Sequence, residues 1–173
     1  NAGVDVARGE VLALVNPDVT ATDGWLARLL ELLDGESSTL VAPVLLDSDG
    51  SVQECGQNLY ADGTTRPHRV LPDDGVPFVA AYASAACWVL PTALFRRLGG
   101  FDRRFHPAYF EDVDFVLRLH AAGGRCLVHP GVSVFHHAGR GTPDRPPAAH
   151  IQRELLIAKW PDLAASRPVP PSG

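Results

Sequence analysis

The sequence predicts an α/β domain built on a mostly parallel sheet flanked by helices. Three observations carry that reading: apolar runs over residues 10–15 and 40–46, helix-period segments over 25–33 and 111–122, and the alternation of the two along the chain. Short, continuously apolar runs mark strands buried on both faces, the usual condition of a parallel sheet.

Residues 1–9 read as a helix tail or loop feeding the first strand, which Asn16-Pro17-Asp18 stops. Thr22 or Asp23 then caps a helix whose apolar residues, Trp25, Leu26, Leu29, Leu30, Leu32 and Leu33, recur at helical spacing, with Gly35 just past its end. After the strand over 40–46, Asp47-Ser48-Asp49-Gly50 is a turn and 51–56 returns as a hairpin arm. Residues 58–77 are rich in Gly, Pro, Asp and Arg and lack periodicity, which predicts a long loop of the kind that goes with function. Residues 78–90 read as one buried strand. Pro91 suits the first turn of a short helix that Gly99-Gly100 ends. A helix over 111–122 is closed by Gly123-Gly124, two short strands follow at 125–128 and 132–135, and a final helix spans 145–160. The Pro-rich tail, 161–173, has little to bury and is expected to be disordered.

A length of 173 residues suits one domain with its own core. The net charge of −5 argues against a nucleic-acid surface, which needs clustered Lys and Arg. No apolar run approaches the ~20 residues that cross a bilayer. The three cysteines, Cys55, Cys87 and Cys126, are odd in number and scattered, as in small core residues of a reducing cytoplasm. The chain holds no Met, position 1 included, and opens inside an element, which predicts a piece of a longer protein.

Three constellations can carry chemistry. Asn16-Pro17-Asp18 ends a buried strand, where ligands of open α/β sheets gather. Asp18 there can hold a divalent cation through oxygen, or the tripeptide is a plain turn. At the start of the helix over 111–122 stand Glu111, Asp112 and Asp114. Asp112 shares the apolar face of Phe115, Val116 and Leu119, so it points inward, whereas Asp114 and Arg118 are spaced for a surface ion pair. Acids in a first helical turn also simply suit the helix dipole. Finally, His136 and His137 end a strand, and alternation sends them to opposite sides, so one can reach the crevice. Imidazole suits Mn²⁺, and Mg²⁺ prefers oxygen.

In order, these pieces resemble the family 2 glycosyltransferases of the rhamnosyltransferase-like kind. The resemblance runs from Asn1 to about Thr142: Asn1-x-Gly3 with Ala7-x-Gly9, Leu14-Val15-Asn16-Pro17-Asp18, Gly24-Trp25-Leu26, Ala42-Pro43, Asp49-Gly50, Gly99-Gly100-Phe101-Asp102, Glu111-Asp112-Val113-Asp114 and His136. It implies a GT-A, Rossmann-like fold truncated at its N-terminal, nucleotide-binding side, with residues 1–160 forming the C-terminal part of that domain. It implies Asp112 as the general base, with Glu111 orienting the acceptor. Asp18 and His136 would bind a divalent metal, Mn²⁺ or Mg²⁺, with His137 the second choice. Asn16 and Asp18 would face the donor diphosphate and sugar, and Gly99, Gly100, Phe101 and Asp102 the acceptor. Asn16 departs from the family's Asp-x-Asp motif and lowers the negative charge at the metal. The implied reaction is inverting transfer from a nucleotide-diphosphate sugar, dTDP-rhamnose or a UDP-sugar, to a glycan or lipid-linked acceptor. It would serve bacterial polysaccharide synthesis, in the cytoplasm with peripheral contact at the inner membrane face. Without the N-terminal part, this chain alone is expected to be inactive. Two other readings use the same acids: a metal-dependent phosphoesterase, and a non-catalytic remnant of such a transferase.

Overall fold

The computed structural model describes residues 1–33, 38–137 and 148–171. A short helix α1 (Ala2–Val6) leads to strand β1 (Val11–Val15), then β2 (Val19–Ala21), helix α2 (Trp25–Leu30), β3 (Thr39–Leu46) and β4 (Val52–Glu54). Next come β5 (Gln57–Leu59), β6 (Thr65–Pro67), β7 (Phe78–Val79), β8 (Cys87–Pro91) and helix α3 (Thr92–Arg97). A 3₁₀ turn (Arg103–Phe105), α4 (Glu111–Ala121), β9 (Arg125–His136), α5 (Ala148–Lys159) and α6 (Leu163–Ser166) complete the order. The expected helix end at Gly35 and residues 138–147, which include the expected start of the last helix, lie outside the described residues.

The α/β class holds, but the sheet direction needs correction. The main path runs β1-β8-β3-β9-β2, with β4 beside β3 and β7 beside β9. Among the described residues only the central β3·β9 pair is parallel; β1·β8, β3·β8, β2·β9, β3·β4 and β7·β9 are all antiparallel. An apolar run reports burial on both faces, which a covered antiparallel strand shares, so it does not fix direction. β3 is buried from Thr39 through Leu45 and sits at the centre, as its apolar run requires.

Other boundaries shift for local reasons. The two strands expected at 125–128 and 132–135 are one strand, β9, whose register against β3 jumps between Pro43 and Val44. The strand expected over 78–90 is broken into β7 and β8 by a loop of small residues, Ala83-Ser84-Ala85-Ala86. The loop expected over 58–77 holds a small hairpin, β5·β6, whose tip glycine, Gly63, lies against Arg153, Leu156 and Ile157 of α5. The tail also packs: Leu163 is buried, and the Pro168 carbonyl accepts from the Ala61 amide at 2.9 Å.

The largest core cluster forms between sheet and helices. Its centre is an aromatic cluster of Trp88, Phe95, Phe101 and Phe115, with Phe95 and Phe115 stacked at 5.1 Å and Phe95 and Phe101 edge-on at 5.3 Å. Such pairs add to burial energy because ring edges and faces carry opposite charge. Phe101 thereby anchors the Gly99–Asp102 segment from inside. Among the described residues no helix is long and apolar enough to cross a membrane.

Candidate active site

One half of the candidate site forms where β1 and β9 end and β2 begins. After β1 the chain turns through Asn16-Pro17-Asp18, with the Val19 amide donating to the Asn16 carbonyl at 3.1 Å. β2 then pairs with β9 so that Val19 lies opposite His136. That register brings Asp18 Oδ1 to 3.5 Å from His136 Nε2. His137 points elsewhere, between Thr20 Oγ1 at 3.1 Å and Ser48 Oγ at 2.7 Å, while its amide donates to the Asp18 carbonyl. Alternation therefore resolves the two imidazoles as expected, with His136 on the Asp18 side.

Gln53 of β4 sets the chemistry of His136. Its Nε2 donates to Asp47 Oδ1 at 2.7 Å and to the His136 carbonyl at 3.2 Å, which turns Oε1 toward His136 Nδ1 at 2.7 Å. Nδ1 therefore donates, and in the neutral ring Nε2 carries a lone pair. Burial, outweighing the nearby Asp18 carboxylate, lowers the His136 pKa and favours that neutral ring. A nitrogen lone pair and a carboxylate oxygen then face each other with no proton between them, which is the arrangement two ligands of one cation adopt. The carboxylate-plus-imidazole donor set fits a divalent transition ion such as Mn²⁺ better than Mg²⁺. Among the described residues no three His, Cys, Asp or Glu side chains cluster to hold a metal.

The other half of the candidate site sits at the start of α4. Tyr109 and Phe110 both adopt left-handed backbone, φ 79° and 69°, a strained entry that non-glycine residues hold only where surroundings enforce it. Asp112 Oδ2 accepts from Tyr82 Oη at 2.5 Å and from the Ala85 amide at 3.2 Å, and Oδ1 accepts from the Val113 amide at 2.8 Å. The adjoining Ala86 carbonyl accepts from the Asn16 amide at 2.9 Å. Two consecutive residues of the β7–β8 loop thus tie the Asn16–Asp18 turn to Asp112. Glu111 Oε2 is buried without a partner among the described residues, and burial followed by the Asp112 charge raises its pKa to about 7. Glu111 and Asn16 line a cavity of about 440 Å³ together with Ala85 and Phe101.

Asp114 departs from the expected surface pair. The Arg118 partner is present at 2.9 Å, but Asp114 is fully buried and also binds Lys159 Nζ at 2.6 Å and Trp160 Nε1 at 2.9 Å. Helical spacing described α4 alone; α5 covers its second face. Lys159 continues to Asp102 at 2.8 Å, and Arg118 donates to the Leu98 and Gly100 carbonyls. Arg104, and then Lys159, hold Asp102 well below the usual carboxylate range despite its partial burial.

The Gly99–Asp102 segment is clamped from its other side by Asn1. The Asn1 amide donates to the Phe101 carbonyl at 2.8 Å and accepts from the Phe101 amide at 2.9 Å. A Cβ on Gly100, at φ 68°, would lie 2.6 Å from Asn1 Oδ1, so this clamp needs glycine. A second cavity, about 570 Å³, lies behind this segment beside Arg96, Arg103 and Lys159. Asp18, Asp112 and His136 line neither of these two cavities.

Sequence reading missed Gln53, Tyr82 and the 84–86 loop. A Ser among alanines inside an otherwise apolar run was the available signal for the loop; Gln53 and Tyr82 carried none.

Similarity to known proteins agrees with this fold. No family model matches the chain. The N-acetylglucosaminyl-diphospho-decaprenol L-rhamnosyltransferase of Mycobacterium tuberculosis is 29% identical over 157 residues, 80% of this chain and 50% of that protein. A pre-mycofactocin glycosyltransferase of the same organism is 32% identical over 141 residues, 79% of this chain and 28% of that protein. The O-antigen biosynthesis protein RfbC of Myxococcus xanthus is 30% identical over 142 residues, 76% of this chain and 11% of that protein. The chain therefore spans at most half the length of these relatives. In fold it matches a crystal structure of GalNAc-T7 with UDP, GalNAc and Mn²⁺, at a TM-score of 0.73 and 15% identity, over 92% of this chain and 34% of that one.

Proposed function

Because the chain belongs with the glycosyltransferases of GT-A fold, we propose that it provides the base and metal side of a family 2, inverting sugar transferase. The observation that carries this reading is the pairing of Asp18 with the proton-free face of His136, linked through Ala85 and Ala86 to Asp112.

Asp112 accepts the proton of the acceptor hydroxyl as that oxygen attacks the anomeric carbon of the donor. The bond from that carbon to the diphosphate breaks, the new glycosidic bond forms on the opposite face, and the nucleoside diphosphate leaves. Tyr82 and the Ala85 amide hold Oδ2 of Asp112, so Oδ1 keeps a lone pair for the incoming proton. Glu111 and the Gly99–Asp102 segment orient the acceptor. A divalent cation held by Asp18 and His136 would neutralise charge on the departing diphosphate.

The donor is a nucleotide-diphosphate sugar. A dTDP-rhamnose donor fits the reduced charge at Asn16 and the rhamnosyltransferase relative, and a UDP-sugar is the alternative the same site would take. The acceptor is a glycan or lipid-linked glycan of envelope polysaccharide synthesis at the cytoplasmic face of the membrane.

The test is a donor panel assayed with the complete protein and a lipid-linked acceptor. Asp112→Asn should abolish transfer and leave metal-dependent donor binding intact, and Asp18→Ala should weaken both. Equal transfer by wild type and Asp112→Asn would remove Asp112 from the base role. Donor consumption independent of acceptor would point to a hydrolase.

A further inference from the structure

Glu54, at the end of β4, is a buried carboxyl that the chemistry above does not use. It is 6% exposed, its Oε1 accepts from the Ser84 amide at 2.8 Å, and its Oε2 accepts from Gln57 Nε2 at 2.6 Å. Both donors are neutral, so its burial is not offset by a cation. A buried acid without an ion partner is costly and is kept where its hydrogen bonds hold something in place.

What it holds is the β7–β8 loop. Glu54 takes the Ser84 amide, and Asp112 takes the next amide, Ala85, at 3.2 Å. Two residues earlier, the Tyr82 hydroxyl meets the same Asp112 oxygen at 2.5 Å, and the Tyr82 carbonyl accepts from the Gln57 amide at 2.7 Å. One residue later, the Ala86 carbonyl accepts from Asn16. The loop is therefore fastened from the β4–β5 side by Glu54 and Gln57, and from the site side by Asp112 and Asn16. Ala83 and Ala86 are buried and the Ala83 carbonyl accepts from Trp88 Nε1 at 3.1 Å, so packing holds the two ends of the Ala83–Ala86 segment, and the polar contacts of Glu54 and Asp112 set the Ser84 and Ala85 amides between them.

We propose that Glu54 is a positioning residue of the transferase site: its grip on Ser84 fixes the loop so that Tyr82 Oη and the Ala85 amide converge on Asp112 Oδ2. It touches neither donor nor acceptor and acts through the loop. The proposal rests on the reading of Asp112 as the base, yet its structural half can be measured without turnover.

The experiment has two arms. In this chain, amide hydrogen exchange by NMR compares wild type with Glu54→Ala and Glu54→Gln. In the complete protein, the same variants are assayed for kcat and for donor KM. Glu54→Ala should lose protection at Ser84 and Ala85 while the β3 and β9 amides keep theirs. It should lower kcat about 10–100-fold, the range expected when a reacting group is displaced by about 1 Å, with donor KM within about twofold. Glu54→Gln keeps an oxygen for Ser84, and Gln57 can turn its own amide to pair with it, so protection and kcat should recover to within about threefold of wild type. Should Ala prevent folding, Glu54→Asp, which withdraws the carboxylate by one methylene, is read in the same way. Unchanged protection and unchanged kcat in a folded Ala or Asp variant overturn the proposal. So does a Gln variant as impaired as Ala, or a loss confined to donor KM. Lost protection at Ala85 with Asp112→Asn fully active would keep the loop contact and overturn the base assignment instead, so the two failures are distinguishable.

Discussion

Replacing Asp114 with alanine tests whether the α4–α5 junction is an internal electrostatic knot or surface decoration. Asp114 is fully buried and serves Arg118, Lys159 and Trp160 at 2.9, 2.6 and 2.9 Å. Removing one partner of a buried ion pair costs about 3–5 kcal/mol, because the charges left behind stay desolvated. Here the cations keep other acceptors: Arg118 retains the Leu98 and Gly100 carbonyls, and Lys159 retains Asp102. Both are also partly exposed, at 19% each, which places the loss in the lower half of that range, about 3–4 kcal/mol. For a chain of 173 residues this lowers Tm by about 6–16 °C at about 2–4 °C per kcal/mol. Urea denaturation and calorimetry on the wild type and Asp114→Ala measure it directly. An exposed helical i,i+4 pair contributes only about 0.3–0.5 kcal/mol. A loss below about 1 kcal/mol would therefore refute the buried network and return the pair to the surface role that spacing alone predicts.

Further outcomes follow from the same geometry. Gly99→Ala meets nothing within 4 Å and should cost only the left-handed backbone, about 1–2 kcal/mol, whereas Gly100→Ala also drives a Cβ to 2.6 Å from Asn1 and should melt measurably lower. Equal melting temperatures would mean the Asn1 clamp is slack. Gln53→Leu leaves Asp18 and His136 intact but frees Nδ1, and should weaken Mn²⁺ binding in the presence of nucleoside diphosphate about 10–100-fold, read by electron paramagnetic resonance. Unchanged affinity would exclude the Gln53–His136 contact from the metal site. Burial raises the Glu54 pKa from 4.5 to about 7 in the fold, so the native state binds the extra proton between those values. That contribution is full below about pH 4.5 and is lost as pH rises through about 7, up to about 3 kcal/mol. Urea midpoints from pH 5 to 8 should therefore fall for wild type and fall less for Glu54→Gln; parallel slopes would mean Glu54 ionises freely in the fold.

Much of the site is legible as residue types in a pattern. The polar stop after β1 marks Asp18, two adjacent histidines at a strand end reduce to one by alternation, and the acid run before an apolar helix marks Glu111 and Asp112. The partners of these residues are not legible. Gln53 lies on β4 and Tyr82 in the β7–β8 loop, and neither residue type is uncommon enough to stand out. Asp114 illustrates the limit: its spacing to Arg118 named the pair, but nothing local told that Lys159 and Trp160 close over it.

The sequence alone therefore determined the α/β class, the burial of the apolar run over 40–46, and which side chains can bind a cation or take a proton, because periodicity and side-chain chemistry are local properties. The tertiary structure decided strand direction, the facing of Asp18 and His136, the burial of Asp114 and the grip of Glu54 and Asp112 on consecutive amides of one loop. Those depend on contacts between residues far apart in the chain, and a buried strand or an acid in a helix looks the same locally whichever neighbour the fold brings to it.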